Sequence, residues 1–235
     1  MSWIQGRGVL TAFAIAAMTL FAFAGCGGGD DGSDSAHVNE ESGSINGLPL
    51  DEREGTPPPP VKEAKLIKAA REAGCSLQLQ LPDEGSKEVP PGSPGPKYER
   101  DPPTSGTHVE PPYQQADGAY MLPPEPLQAV AALDHGRMEI QYAPDLNEEI
   151  QLKLKGLYDT MYGGTLFYPN ETMHYAIAAT TWRGILACAG WNKDATLDAI
   201  RAFGKATWGK RGTESVEDFP VEGPTPRDPE EPDAS

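Results

Sequence analysis

His108, Asp134, His135 and His174 are of the residue types that hold a transition-metal ion. Neutral imidazole nitrogen and carboxylate oxygen are ligands for zinc and copper. Two histidines and one carboxylate suffice for an open site in which the metal keeps an exchangeable water. Asp134 and His135 are adjacent, but His108 and His174 stand far off in sequence, so only tertiary structure could unite the set. Gly106 and Gly136, each close to one histidine, leave room for backbone to approach. The plainer role for His135 is a structural hydrogen bond that ties a loop to a strand. Ser105, taken with His108 or His135 and Asp134, has the residue types of a nucleophile, a base and an orienter. No Gly-x-Ser-x-Gly turn presents it, and Thr104-Ser105-Gly106 after two prolines reads more simply as a hydroxyl-stabilised turn. The chain has neither a phosphate-cradling loop nor a dinucleotide fingerprint. Trp182, Trp191 and Trp208 read as core or rim aromatics, and Asn170-Glu171-Thr172 is an accidental match to a glycosylation acceptor.

Positioning these residues requires two unlike elements. Met138, Ile140 and Tyr142 alternate with Glu139 and Gln141, the period of a half-buried strand that would deliver His135-Gly136-Arg137 to a fixed place. From Ser76 to Pro126 the chain is dense in proline and glycine and reads as a long, turn-rich strap carrying Thr104 to His108 over the domain surface. A short helix is expected over 61–73, closed by Gly74. Asn147 caps a second helix, with Glu148 and Glu149 in its first turn and Ile150, Leu154, Leu157, Tyr158 and Met161 on one face. Strands follow at 165–168, 173–182 and 184–188, with His174 at the start of the second of these. A last helix capped by Asp194 runs to about Trp208. The order predicts an α+β fold: a single compact domain with one mixed sheet covered by two or three helices and the strap.

The flanks speak to location. Arg7 precedes an apolar run from Val9 to Ala24 of roughly 16 residues, shorter than the ~20 of a membrane-spanning helix. It ends in Phe23-Ala24-Gly25-Cys26, which resembles a bacterial lipobox. Residues 1–25 are therefore expected to be a lipoprotein signal peptide and Cys26 the site of lipidation, which puts the protein on the extracytoplasmic face of a cell membrane. Residues 26–60 read as a disordered acidic Gly/Ser/Pro tether and 214–235 as a disordered acidic tail, leaving 61–213 as the domain. Each acidic flank holds eight Asp and Glu against one Arg, so most of the net charge of −16 belongs to the flanks and the domain is near balance. A near-neutral domain between acidic arms offers no field for nucleic acid. With Cys26 acylated, Cys75 and Cys188 are left in an oxidising compartment. A disulfide is the natural reading, with free thiols or soft metal ligands as the alternative.

The combination Pro103-Thr104-Ser105-Gly106, His108, Leu133, His135-Gly136-Arg137, Tyr142, Trp182 and Cys188 resembles the domain of unknown function 3105 family, over roughly residues 70–212. The resemblance implies an exported, often anchored envelope domain with no established reaction. The family pattern commonly reads His-x-Leu-Glu-His-Gly. Here Ala131 stands at its first histidine and Asp134 at its glutamate.

The chain has an anchor, a tether and a rigid strap but no complete catalytic constellation. The expected function is thus a non-enzymatic binding or assembly domain of the envelope, with an envelope protein or polymer as partner. The alternative is a transition-metal domain, or a metal-dependent enzyme, using zinc or copper at His108 and His135.

Overall fold

The computed structural model describes residues 50–161 and 163–214. The expected signal peptide, the lipidation at Cys26, the tether as far as residue 49 and the tail from 215 lie outside the described residues.

The elements run α1 (Leu66–Ala73), β1 (Cys75–Gln78), β2 (Glu88–Val89), β3 (His108–Val109), β4 (Gly118–Ala119), α2 (Pro126–Asp134), β5 (Met138–Tyr142), α3 (Glu148–Met161), β6 (Thr165–Pro169), β7 (Ile177–Thr181), β8 (Gly184–Cys188) and α4 (Lys193–Thr207). Six strands form one mixed sheet in the order β1-β8-β7-β5-β6-β4. β6 lies parallel to both β5 and β4, while the other neighbours are antiparallel. The β5–α3–β6 crossover supplies the connection that parallel neighbours need. The β2–β3 pair is a separate parallel ribbon within the strap. The fold is α+β, as the pattern predicts.

Side chains alternate across the sheet, and the two faces are unlike. Met138, Ile140, Tyr142, Phe167, Ile177, Ala179 and Leu186 point into the main core with α1, α3 and α4. Asn147 caps α3 through its Oδ1, which accepts the Glu149 N–H at 2.9 Å. Gly74 ends α1 in the left-handed region, at φ +73°, with its N–H turned back to the helix carbonyls. Cys75 and Cys188 face each other across the β1–β8 pair and are bonded, closing a loop with a sequence separation of 113.

The opposite face is covered by the strap and by a helix, α2, where no helix is expected from the sequence. α2 begins at Pro126, in the first turn where a missing N–H costs nothing, and runs through Leu127-Gln128-Ala129-Val130-Ala131-Ala132-Leu133-Asp134. It is apolar nearly all round, so it packs on several sides at once: Ala132 on Leu166 and Tyr168, Leu133 and Val130 on Trp182, and Ala131 on Val109. Three helices on one face and one on the other thus replace the expected two or three. His135 is delivered by the end of a helix, at its C-cap, rather than by a strand.

Three further boundaries differ. The expected surface strap lies partly inside: its first residues pair as the edge strand β1, and Leu81, Thr104, Ser105, His108 and Val109 are buried. Residues 50–60, read as tether, belong to the folded body. Leu50 is 1 % exposed, Gly55 lies so close to Gly156 that a Cβ would fall 2.3 Å from its nitrogen, and the Pro59 carbonyl accepts from Arg201. β7 starts at Ile177 rather than 173, because Asn170 Oδ1 gathers the N–H groups of Thr172 and Met173 into a turn.

Candidate metal centre

The site forms where α2 turns into β5. His135 N–H donates to the Ala131 carbonyl and Gly136 N–H to that of Leu133, and Gly136 takes φ +79° to reverse the chain. The turn leaves Asp134 and His135 at the negative end of the α2 dipole, which favours a cation. The segment after α4 then folds back across them. Gly209 N–H donates to the Gly136 carbonyl, and Thr213 N–H and Oγ1 donate to Asp134 Oδ1 at 3.0 and 2.8 Å. Gly212 sits so near Asp134 that a Cβ would lie 2.0 Å from the carbonyl oxygen, and its φ is +126°. This packing brings Glu214 Oε2 to 2.7 Å from His135 Nε2.

Ligand atoms of Asp134, His135 and Glu214 all lie within 4.8 Å of one another. Among the described residues this is the one group of three or more His, Cys, Asp or Glu so placed. Asp134 and His135 are buried, and the Glu214 side chain is one-third exposed, which gives the cluster its opening to solvent.

The two histidines are oriented in the same way. His108 Nδ1 lies 2.9 Å from the Gly106 carbonyl, so it carries the proton and leaves the Nε2 lone pair on the far side of the ring. That Nε2 has no hydrogen-bond partner and stands 3.5 Å from Asp134 Oδ2. His135 Nδ1 is paired with the side-chain oxygen of Gln114, again directing Nε2 at a carboxylate. An imidazole whose Nδ1–H is fixed by an oxygen acceptor is the usual arrangement for a metal-binding Nε2. The ring must also be neutral to bind metal. Burial, then Arg137 and His108, push the His135 imidazole down to about 4, while Asp134 works in the other direction. At neutral pH His135 is therefore unprotonated on one nitrogen and faces acceptors, a geometry that a cation between them would satisfy.

The other residues singled out in the sequence have structural places. Arg137 is fully buried; its Nε donates to Asp117 at 3.2 Å and its Nη1 to the His135 carbonyl at 3.1 Å, which fixes the turn. Ser105 Oγ accepts the Glu84 N–H at 3.0 Å, so this hydroxyl joins two turns of the strap. The Thr104 carbonyl accepts the Arg183 N–H, and Gly106, at φ +126°, faces the Tyr98 ring where a Cβ would be only 3.0 Å away. His174 is exposed in the turn before β7 and has no place in the cluster. Trp182 meets His108 edge-on with ring centres 5.9 Å apart, and Trp208 donates to the Gly164 carbonyl. Glu214, Thr213 and Gln114 were not singled out in the sequence. Glu214 looks there like the first residue of an acidic tail, and nothing local distinguishes it from its neighbours.

A family model described as "Protein of unknown function (DUF3105)" matches residues 95–217, more than half of the chain. The chain belongs to the DUF3105 family. The matched segment holds the whole site, from His108 through Asp134 and His135 to Glu214, and leaves out α1 and β1. Ala131, where the resemblance places a histidine in other DUF3105 members, is buried in an apolar cluster with Leu127 and Val109. No curated protein and no solved structure gives a significant match.

Proposed function

We propose that this chain is an exported binding domain, held at the cell membrane by a lipid on Cys26, that takes up a divalent transition metal. Zinc or copper would be held by Asp134, His135 and Glu214. The observation that carries this reading is the common orientation of the two buried histidines: each has Nδ1 fixed by an oxygen acceptor, and each presents Nε2 to a carboxylate. Three protein ligands leave a position for water or a partner's donor atom. His108 flanks Asp134, and Thr213 holds that carboxylate in place by donating to it, which is the role of an outer shell around a metal ligand. A lipid anchor and an acidic tether would keep the site outside the membrane, where both metals are met and where the bound partner is an envelope protein or polymer rather than nucleic acid.

The experiment is elemental analysis of full-length protein purified without a histidine tag, followed by Zn²⁺ and Cu²⁺ titration of wild type, His135→Ala and His174→Ala. One equivalent of metal is expected for wild type and His174→Ala, with affinity lost by roughly ten- to a hundredfold or more in His135→Ala. No stoichiometric metal in any of the three returns His135 to a purely structural bond with Glu214. Anchoring is tested separately by labelling with a palmitate analogue, where wild type is expected to incorporate label and Cys26→Ser none; equally low incorporation in both would reject it.

A further inference from the structure

A second site lies on the strap face of the sheet, independent of the metal cluster. A cavity of about 330 Å³ opens there, within the size range of small-molecule pockets. Gln141, Tyr168 and Asn170 form its polar floor, and Pro103, Pro124 and Pro126 are among its apolar walls. Behind the floor is Glu139, 1 % exposed and bonded to two of the floor residues.

The direction of each hydrogen bond determines what the cavity can recognise. Glu139 Oε2 accepts from Tyr168 Oη at 2.8 Å, from Gln141 Nε2 at 2.8 Å and from Thr180 Oγ1 at 3.0 Å. The second Gln141 amide proton goes to Thr180 Oγ1 at 3.3 Å. Asn170 Nδ2 donates to Gln141 Oε1 at 2.7 Å and reaches Asp101 Oδ1 at 3.4 Å. Thr172 Oγ1 donates to Asn170 Oδ1 at 2.8 Å. Every side-chain proton of the floor is thereby directed into the protein or along the network. What remains are acceptor lone pairs on Tyr168 Oη and Gln141 Oε1. The rim adds the carboxylates of Asp101, Glu125 and Glu171, and among the described residues no lysine or arginine lines the cavity. A ligand that satisfies this surface must donate, carry positive charge and bring an apolar stem for the proline walls. The rim carboxylates do not converge as metal ligands do, so the cation is organic and spans the gap between them.

We propose that this cavity binds the ammonium end of an alkyl chain, with nitrogen on the Gln141–Tyr168 acceptors, methylenes along the prolines and the rim carboxylates neutralising the charge. Glu139 is the positioning residue: as the common acceptor it turns the donors of Tyr168 and Gln141 inward and leaves their lone pairs outward. Burial pushes the Glu139 carboxyl up to about 7, so a cation nearby should favour its ionised form and bind better as pH rises through that value. The titratable groups that face it are Tyr168 from β6 and Tyr98 from the strap.

The test is a titration of the full-length protein with 1,5-diaminopentane, N-acetyl-lysine amide, 1-pentanol and pentanoate, followed by the NMR signals of the Gln141 and Asn170 side-chain amides. Both amines are expected to bind saturably and to move those signals; the alcohol and the carboxylate are not. The two amine arms separate a free small amine from a lysine-type side chain, and binding by either supports the proposal. Asp101→Asn with Glu171→Gln, at exposed positions that leave the fold intact, should weaken amine binding roughly tenfold, the loss of about one charge-assisted contact. Glu139→Gln should abolish the tightening of amine binding between pH 6 and 8. Equal binding of alcohol and amine, amine shifts away from Gln141 and Asn170, or unchanged affinity in the double variant would overturn it. His174→Ala, at an exposed position outside the cavity lining, serves as a control and should leave amine binding intact.

Discussion

The two faces of one sheet have been put to different uses. The face under α1, α3 and α4 is hydrocarbon: β5 contributes Met138, Ile140 and Tyr142, and β6, β7 and β8 add Phe167, Ile177 and Leu186. The face under α2 and the strap receives Glu139, Gln141, Thr180 and Tyr168 from the same strands, all buried and hydrogen-bonded to one another. Apolar burial contributes stability with little demand on geometry, whereas a buried polar network is tolerable only where its partners are met. The strap explains how the second face is possible. Proline and glycine cannot build a packed layer of regular structure, but they can hold turns against the sheet and supply backbone acceptors such as the Thr104 and Gly106 carbonyls. The chemistry-bearing residues sit on the strap side for that reason, and the stability sits on the other.

The comparison predicts that changes on the helical face cost the most. Replacing Cys75 and Cys188 together with serine removes the link at that face's edge; for a loop of ~100 residues the chain-entropy cost is about 4.7 kcal/mol, read as a lower midpoint in denaturant. Ile140→Ala, at the centre of the same core, should cost about 2–5 kcal/mol in the same melt.

On the strap face the effect depends on pH. Glu139 titrates near 4.5 when unfolded and about 7 when folded. Its raised value means that the folded state holds the proton more tightly, so the associated stability is complete below about 4.5 and is lost as pH rises to 7. The loss is on the order of 3 kcal/mol at about 1.4 kcal/mol per pKa unit. Wild type should therefore weaken across that window relative to Glu139→Gln, in which this term is flat. Parallel pH profiles for the two proteins would contradict the buried-carboxyl account. The smallest effect is expected for Thr213→Val, which removes one hydroxyl bond to Asp134 and should cost about 1 kcal/mol while loosening the segment that brings Glu214 to the site.

Much of the helical face was legible in the sequence, because amphipathic helices and alternating strands announce themselves by period. The α3 and α4 faces and the alternation of β5 are legible that way, and the Cys75–Cys188 pairing follows from the two cysteines left over in an oxidising compartment. What was missed lies mainly on the strap side. α2 is apolar all round and alanine-rich, so it has no period to detect, and its start among prolines looks like more strap. Glu139 and Gln141 alternate with apolar residues and so read as a solvent face; only the strap above them makes that face interior. His108 and His135 were both marked, and the fold brings them to either side of Asp134. His174, a candidate by residue type at the start of an expected strand, lies in a solvent-facing turn. Glu214 could not be found, because its role depends on Gly209 and Gly212 folding back across α2, a tertiary event hidden inside an acidic run.

The strap side is proposed to take up a metal through His135 Nε2, beside a His108 oriented by Gly106. The most direct measurement is the ¹⁵N NMR spectrum of the histidine rings during a Zn²⁺ titration of the full-length protein. His135 Nε2 should move sharply by one equivalent, with a smaller change at His108 Nε2, both Nδ1 atoms protonated throughout and His174 unmoved. Saturation at one equivalent with His135 unchanged, or shifts confined to His174, would contradict the account.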